Sequence, residues 1–223
     1  MGHTVKIKSI EKITHDVLHI VVDKPGAITF EPGQATDISI NKPGWEEKPR
    51  SFTFTSLPDE DHLEFVIKTY PSHDGVTKEM LSLAAGDELI LHDVYGAITY
   101  KGEGIFIAGG AGVTPFIAIL KKLEAENQVG KNKLIFANKT SKDIIHESKF
   151  RKLLGTNFIN ILSDEKTEEY EYGLISAELI KKHQDENTKY YYLCGPEPMM
   201  EAVEKHLNTL GVADEAIVKE SFE

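Results

Sequence analysis

Four short stretches hold the residues most suited to chemistry. In the first, Gly109-Gly110-Ala111-Gly112 stands between the apolar run Gly104–Ala108 and Val113-Thr114-Pro115-Phe116. Small residues let a backbone turn sharply and let a ligand approach it closely. Thr114 reads as a helix N-cap and Pro115 as the first helical residue. A helix start carries unpaired N–H groups and partial positive charge, a seat for phosphate. Gly75-Val76-Thr77 opens a second, shorter helical stretch in the same manner. Arg50, ahead of Ser51-Phe52-Thr53-Phe54, offers a planar cation that can hold phosphate oxygens in pairs. Cys194, the single cysteine, closes an apolar run and precedes Gly195-Pro196-Glu197-Pro198-Met199. A phosphate seat in each half of the chain points to two nucleotides.

The elements that must position these residues change rhythm once. Up to about Tyr100 the apolar pattern has period two and is bounded by turn chemistry: Val5–Lys8, Val17–Val22, Ala35–Ile40, Arg50–Ser56, Leu63–Lys68 and Glu88–His92. One helical insert, Thr77–Ala84, interrupts them. Six short strands predict a small antiparallel barrel or sandwich, with a six-stranded β-barrel the expected form. Beyond that point strands alternate with helices: Gly104–Ala108, Lys133–Ala137, Phe158–Leu162, Lys189–Leu193 and Ala216–Lys219, with helices over 114–127, about 145–154, 176–183 and 198–210. This predicts a doubly wound α/β parallel sheet. The expected domains are 1–100 and 101–223.

Composition narrows the function. The 223 residues are 40% hydrophobic and 27% charged, ordinary for a globular protein. A net charge of −11 argues against nucleic acid or an anionic membrane as partner. One cysteine excludes an internal disulfide framework and a cysteine-ligated iron–sulfur cluster or zinc site. The nine histidines, among them His15, His19, His62 and His73, lack ligand spacing, so no metal site is expected. No apolar run is long enough for a membrane span, and residues 1–6 have no signal-peptide core, so a cytoplasmic location is expected. No nucleophile elbow supports a serine hydrolase.

Arg50-x-Phe52-Thr53, Gly75-x-Thr77, Gly109–Pro115 and Cys194–Met199, in that order, resemble the ferredoxin–NADP reductase superfamily, with features similar to cytochrome b5 reductases. The resemblance spans essentially the whole chain. It implies FAD on the barrel and NADH or NADPH on the α/β half, with hydride passing between nicotinamide C4 and flavin N5. Arg50 then matches the residue that binds the FAD pyrophosphate, Thr53 the hydroxyl at N5, and Phe52, with Ser51 beside it, the flavin-stacking position usually held by tyrosine. Lys68, Thr69 and Tyr70 match the contacts to the adenosine half, and Gly75, Val76 and Thr77 the cap over the pyrophosphate. Gly110, Gly112, Thr114 and Pro115, with Gly195 and Pro196, match the nicotinamide-dinucleotide loops. Cys194 matches the residue that aligns the nicotinamide, Glu220 a glutamate in proton traffic near the flavin, and Phe222 an aromatic that stacks on it. Thr53, Cys194 and Glu220 are the candidate catalytic residues.

The resemblance also bears on the choice of dinucleotide. Where NADPH-using members carry an arginine after the third strand of this half, this chain has Ser163-Asp164-Glu165, which would repel a 2′-phosphate. Ala137-Asn138-Lys139-Thr140 is similar to the Ala-Asn-Gln-Thr of NADH-using cytochrome b5 reductases, and Lys139 alone argues the other way. NADH is favoured. The implied activity is electron transfer from NAD(P)H through FAD to a separate one-electron carrier, flavodoxin or ferredoxin. The alternatives are a reductase component for a haem protein or oxygenase, and a non-catalytic flavin-binding regulatory subunit. A lysine-rich set, Lys121, Lys122, Lys131, Lys133, Lys139 and Lys142, is a candidate basic patch for an acidic carrier.

Overall fold

The computed structural model describes residues 2–219. Its first half is built from β1 (His3–Lys12), β2 (Val17–Asp23), β3 (Ala35–Ile40), β4 (Arg50–Thr53), β5 (His62–Lys68) and β6 (Glu88–Tyr95), with the short helix α1 (Val76–Glu79) between the last two. These strands pair antiparallel in the order β4-β3-β6-β1-β2-β5. A bridge between Phe54 and Phe65 brings the two outer strands together, so the sheet curls into a nearly closed barrel. Inward side chains fill it, including Ile20, Ile38, Phe54, Phe65 and Leu89, all fully buried.

The second half contains β7 (Gly104–Gly109), α2 (Thr114–Ala125), β8 (Lys133–Asn138), α3 (Glu147–Leu154), β9 (Phe158–Leu162), β10 (Glu171–Tyr172), α4 (Ala177–His183), β11 (Tyr190–Cys194), α5 (Glu197–Thr209) and β12 (Ile217–Lys219). All sheet pairs here are parallel, in the order β10-β9-β8-β7-β11-β12. Alternation along β7 dictates the layers. Phe106 and Ala108 face α2 and α3 through Phe116, Leu120 and Phe150, whereas Ile105 and Ile107 face α4 and α5 through Ile180, Val203 and Leu207. Helices thus cover both faces, and the expected barrel plus doubly wound sheet is what forms.

The halves share a core. Val17 and Val66 of the barrel and Ile98 of the connection lie in the same cluster as Phe106, Phe116 and Leu120. Tyr192 stacks on Phe106 at 4.4 Å and pins the connection: its hydroxyl donates to the Gly102 carbonyl at 2.7 Å and accepts from the Lys101 and Gly102 N–H groups. Burial pushes that phenol up to about 12.

Three local expectations are corrected, and one strand is added. The insert expected over Thr77–Ala84 is α1 followed by a 3₁₀ turn at Met80–Ser82. Val76 and Met80 are its buried anchors, and Leu83 is already extended. The strand expected to reach Ser56 ends at Thr53, because Phe54 leaves β3 to bridge Phe65. Thr114 is not an N-cap. A 3₁₀ turn at Gly110–Val113 runs directly into α2, and the Thr114 hydroxyl donates back to the Ala111 carbonyl at 3.0 Å. β10 was not foreseen; its two residues carry too little pattern to register.

Candidate functional site

In the parallel sheet, β7 is the first strand in sequence and sits between β8 and β11, so chain direction across the sheet reverses there. Ligands of such folds bind in the crevice at the carboxyl ends of these strands. The Gly109–Val113 turn leaves β7 at that point, and Cys194 ends the neighbouring β11 opposite Ala108. The two loops are pressed together. A Cβ on Gly112 would collide with the Cys194 carbonyl, and one on Gly109 would lie 2.5 Å from Met199 Sδ. Those two glycines therefore serve protein packing. Gly110 is different: its φ is +51°, and no protein atom lies within 4 Å of where its Cβ would stand. Within the glycine loop, Gly110 is the residue that leaves room for a ligand.

The barrel supplies the facing group. The Phe54–Phe65 bridge makes β4 antiparallel to β5, so the start of β4 lies at the same barrel end as the exit of β5. Arg50 is exposed there, its guanidinium donating to the Pro49 carbonyl at 2.8 Å and forming no ion pair among the described residues. Ser51 is exposed, and Phe52 and Thr53 are half-buried. Phe52 packs its inner edge on the barrel core. A strict strand puts Thr53 on the face opposite Arg50 and Phe52. β4 sits at the sheet's edge, and the half-exposure of both Phe52 and Thr53 leaves each accessible from outside. Beyond β5, Gly75 is extended, with no protein atom within 4 Å of its Cβ position. The Val76 and Thr77 N–H groups precede the first helical hydrogen bond and have no intrahelical carbonyl.

The segment between these points is more committed than the sequence implied. Lys68 Nζ lies 2.8 Å from Asp16 and 3.7 Å from Asp143, so it bridges the barrel to the loop after β8. Thr69 is buried, and its hydroxyl donates to the Asp16 carbonyl at 2.9 Å. Tyr70 alone of the three faces solvent, stacked on His73 at 5.7 Å. Asp143 is held below the usual carboxylate range: burial opposes this, but the Thr140 hydroxyl and N–H, at 2.8 and 2.9 Å, outweigh it together with Lys68 and His15. The clamp thus ties the exit of β5 to Asn138–Thr140. It was not legible in sequence, because Asp16, Lys68 and Asp143 come from three distant segments.

At the neighbouring strand ends, the Ser163 and Asp164 N–H groups donate to the Asn138 and Lys139 carbonyls at 3.0 and 2.9 Å. Asn138 is buried, with an amide nitrogen that lacks a partner. Glu165 is spent on the Ser141 N–H at 2.6 Å, which leaves Asp164 as the exposed acid beside Lys139. The Gly110–Val113 turn packs against β5, which brings the two groups together. This contact sets β5, whose exit end adjoins the start of β4, against the loop that holds Gly110 and packs on Cys194 and Gly195. Pro115 is buried in the first turn of α2, and Thr114 serves the turn itself. Glu220 and Phe222 lie outside the described residues.

Two expectations about charge meet the structure. Of the lysine set, Lys121 is committed to Glu60 and Glu64, and Lys133 to Asp185. Two groups spaced closely enough to hold a cation do form, His15-Asp16-Asp143 and Glu60-His62-Glu64. Each already holds an ammonium, from Lys68 and Lys121 respectively.

The fold is thus an antiparallel barrel joined to a doubly wound parallel sheet. Residues 3–133 match the family model described as an FAD-binding domain, and residues 106–205 that of an oxidoreductase NAD-binding domain. Among relatives, the reductase component of propane 2-monooxygenase from Rhodococcus jostii is 30% identical over 97% of this chain. The chain spans 62% of that relative's length. NADH-cytochrome b5 reductase 1 of Aspergillus terreus is 29% identical over 92% of this chain and 76% of its own. A ferredoxin NADP+ reductase from Neisseria gonorrhoeae, solved with FAD and NADP, shares the fold at a TM-score of 0.84 and 16% identity, covering 98% of each chain. The chain belongs to the ferredoxin–NADP reductase superfamily, with an FAD-binding and an NAD-binding domain.

Proposed function

We propose that this chain is a flavin-dependent NAD(P)H oxidoreductase that delivers single electrons to a separate carrier. The observation that supports the reading is the packing of the glycine turn on β5, with Gly75 and Gly110 both facing open space. The residues present fit the two cofactors. Arg50 has no competing ion pair and would hold the FAD pyrophosphate with the Val76 and Thr77 N–H groups. Gly110 would admit the dinucleotide backbone. FAD, when bound, supplies the capacity to take a hydride and release it as single electrons.

The chain's own work is geometry. Phe52 presents a half-exposed ring as a platform, with no hydroxyl to offer. Thr53 would offer a hydroxyl to the reacting nitrogen of the bound flavin. The Cys194 loop, packed against Gly112, would set how deep a nicotinamide enters. Such positioning matters because near-attack contact needs reacting atoms ~3–3.5 Å apart. Asp164 disfavours a 2′-phosphate, so NADH is the preferred donor, with Lys139 as the group that would tolerate NADPH.

The relatives' names favour an oxygenase system or a cytochrome as acceptor over flavodoxin or ferredoxin. Among the described residues no helix is long and apolar enough to cross a membrane. The test is steady-state oxidation of NADH with ferricyanide, then with a ferredoxin, a flavodoxin and cytochrome b5 in turn. Turnover with ferricyanide and at least one protein carrier supports the reading. No turnover with any acceptor by FAD-loaded protein would sink it and favour the regulatory subunit.

A further inference from the structure

The two halves form a second, half-open cavity that shares no residue with the proposed cofactor sites. It has a volume of about 300 Å³, and its walls come from β2, Thr55 and β5 on one side and α2, His146 and α3 on the other. Val66, Leu120, Phe150 and Leu153 give it an apolar interior. An apolar cavity of about 150 Å³ holds benzene, so this one has room for two rings.

The charged groups at its edge balance in sign, and Glu64 is paired. Glu64 accepts from His62 at 3.1 Å and Lys121 at 3.2 Å, with His19 at 3.9 Å. Lys149 and Glu124 add one charge of each sign. An ionic ligand therefore finds no net counter-charge. Beyond Lys149 and Glu124, two uncharged polar groups of the wall also lack a hydrogen-bond partner among the described residues. Thr55 is 1% exposed, and its hydroxyl has no hydrogen-bond partner. Buried polar groups are nearly always paired, so an orphan in a cavity wall calls for an explanation. The His146 ring meets His19 edge-on at 6.5 Å and makes no hydrogen bond to a described residue.

His146 is also held in the left-handed region, at φ +53°, a conformation uncommon for non-glycine residues. Strain of this kind gathers at ligand clamps and switch regions. Burial, with Lys149 and His19 nearby, drives the imidazole down to about 4, so at neutral pH it offers one donor and one acceptor.

We propose that this interdomain cavity binds an uncharged molecule of one or two rings bearing a hydroxyl or carbonyl group, with Thr55 and His146 as its hydrogen-bonding partners. The site is placed to influence the cofactor crevice. α2 runs directly from the glycine loop, and β5 runs to the Lys68 clamp, so an occupant bears on elements from both halves.

The test is calorimetric titration of the full chain with 2-naphthol, and with naphthalene-2-carboxylate as the charged counterpart. Saturable one-to-one binding of 2-naphthol below about 1 mM is expected, with the carboxylate at least about tenfold weaker. Thr55→Val, which keeps the shape and removes the orphan hydroxyl, should weaken 2-naphthol about tenfold. Leu153→Trp, which fills the cavity, should abolish binding. No saturable heat below about 1 mM overturns the proposal. So does a tighter-binding carboxylate, or unchanged affinity in Thr55→Val. Should Leu153→Trp fail to fold, the conservative Thr55→Val still decides the matter.

Discussion

Replacing Gly112 by alanine tests how the crevice is held. The added methyl would strike the Cys194 carbonyl and lie 2.5 Å from the Cys194 carbonyl carbon and 2.6 Å from the Gly195 nitrogen. All three are backbone atoms, so no side chain can swing aside. Ordinary contact begins at 3.4 Å, so the loops must part by about 0.8 Å at the Gly195 nitrogen. Overpacking of this kind costs about 1–3 kcal/mol. A misplacement near 1 Å costs about a hundredfold in rate when reacting groups must meet at a fixed distance. Gly112→Ala should therefore slow flavin reduction by NADH about a hundredfold, measured by stopped-flow absorbance. FAD affinity should stay unchanged, because the FAD seat lies on the barrel. Gly110→Ala is the control, strained by its positive φ but meeting no protein atom. It should weaken dinucleotide binding with a smaller loss of stability. A Gly112→Ala protein that folds and reduces its flavin at the normal rate would refute the reasoning.

Other outcomes follow from the same geometry. Arg50→Ala should raise the Kd for FAD by about ten- to a hundredfold, read by flavin fluorescence, since charge-assisted hydrogen bonds contribute about 1.5–3 kcal/mol. Glu64 is held at about 2 because His19, His62 and Lys121 outweigh the burial that would raise it. Its folded value is below its unfolded one, so its stabilisation is full above about 4.5 and is lost as pH falls towards 2. Urea unfolding of Glu64→Gln should show lower stability at pH 7 and a flatter profile across that window. The His146 imidazole, depressed to about 4, should show no titration above pH 5.5 in histidine NMR spectra, whereas His19 and His62, raised by their carboxylate partners, should titrate above their usual range. Asp164→Ser should improve use of NADPH relative to NADH by about tenfold, as removal of one repelling charge predicts.

Much of this architecture was written in local pattern. The β-branched run Val17–Val22 declares a strand by its composition, and the largely apolar stretches 104–108 and 158–162 do so because a buried parallel strand is apolar on both faces. Ser176 marked the start of α4, where its hydroxyl accepts from the Leu179 N–H at 3.2 Å. Thr114 misled for a specific reason: the glycine turn coils as a 3₁₀ segment, so the helix has already begun where a cap was expected. The motif residues were legible as chemistry, yet their neighbours' commitments were not. Lys68 reads as a free cation until Asp16 and Asp143 arrive from elsewhere in the chain. The cavity at Thr55 and His146 is invisible in sequence for the same reason, since it exists only where the halves meet.

The central claim is that this chain brings a nicotinamide dinucleotide and FAD into reacting contact. Anaerobic stopped-flow mixing of the FAD-loaded protein with NADH, and separately with NADPH, reads it as loss of flavin absorbance. The account predicts rapid single-turnover bleaching by NADH and a rate about tenfold lower with NADPH. Tight FAD binding with no bleaching by either nucleotide would contradict it.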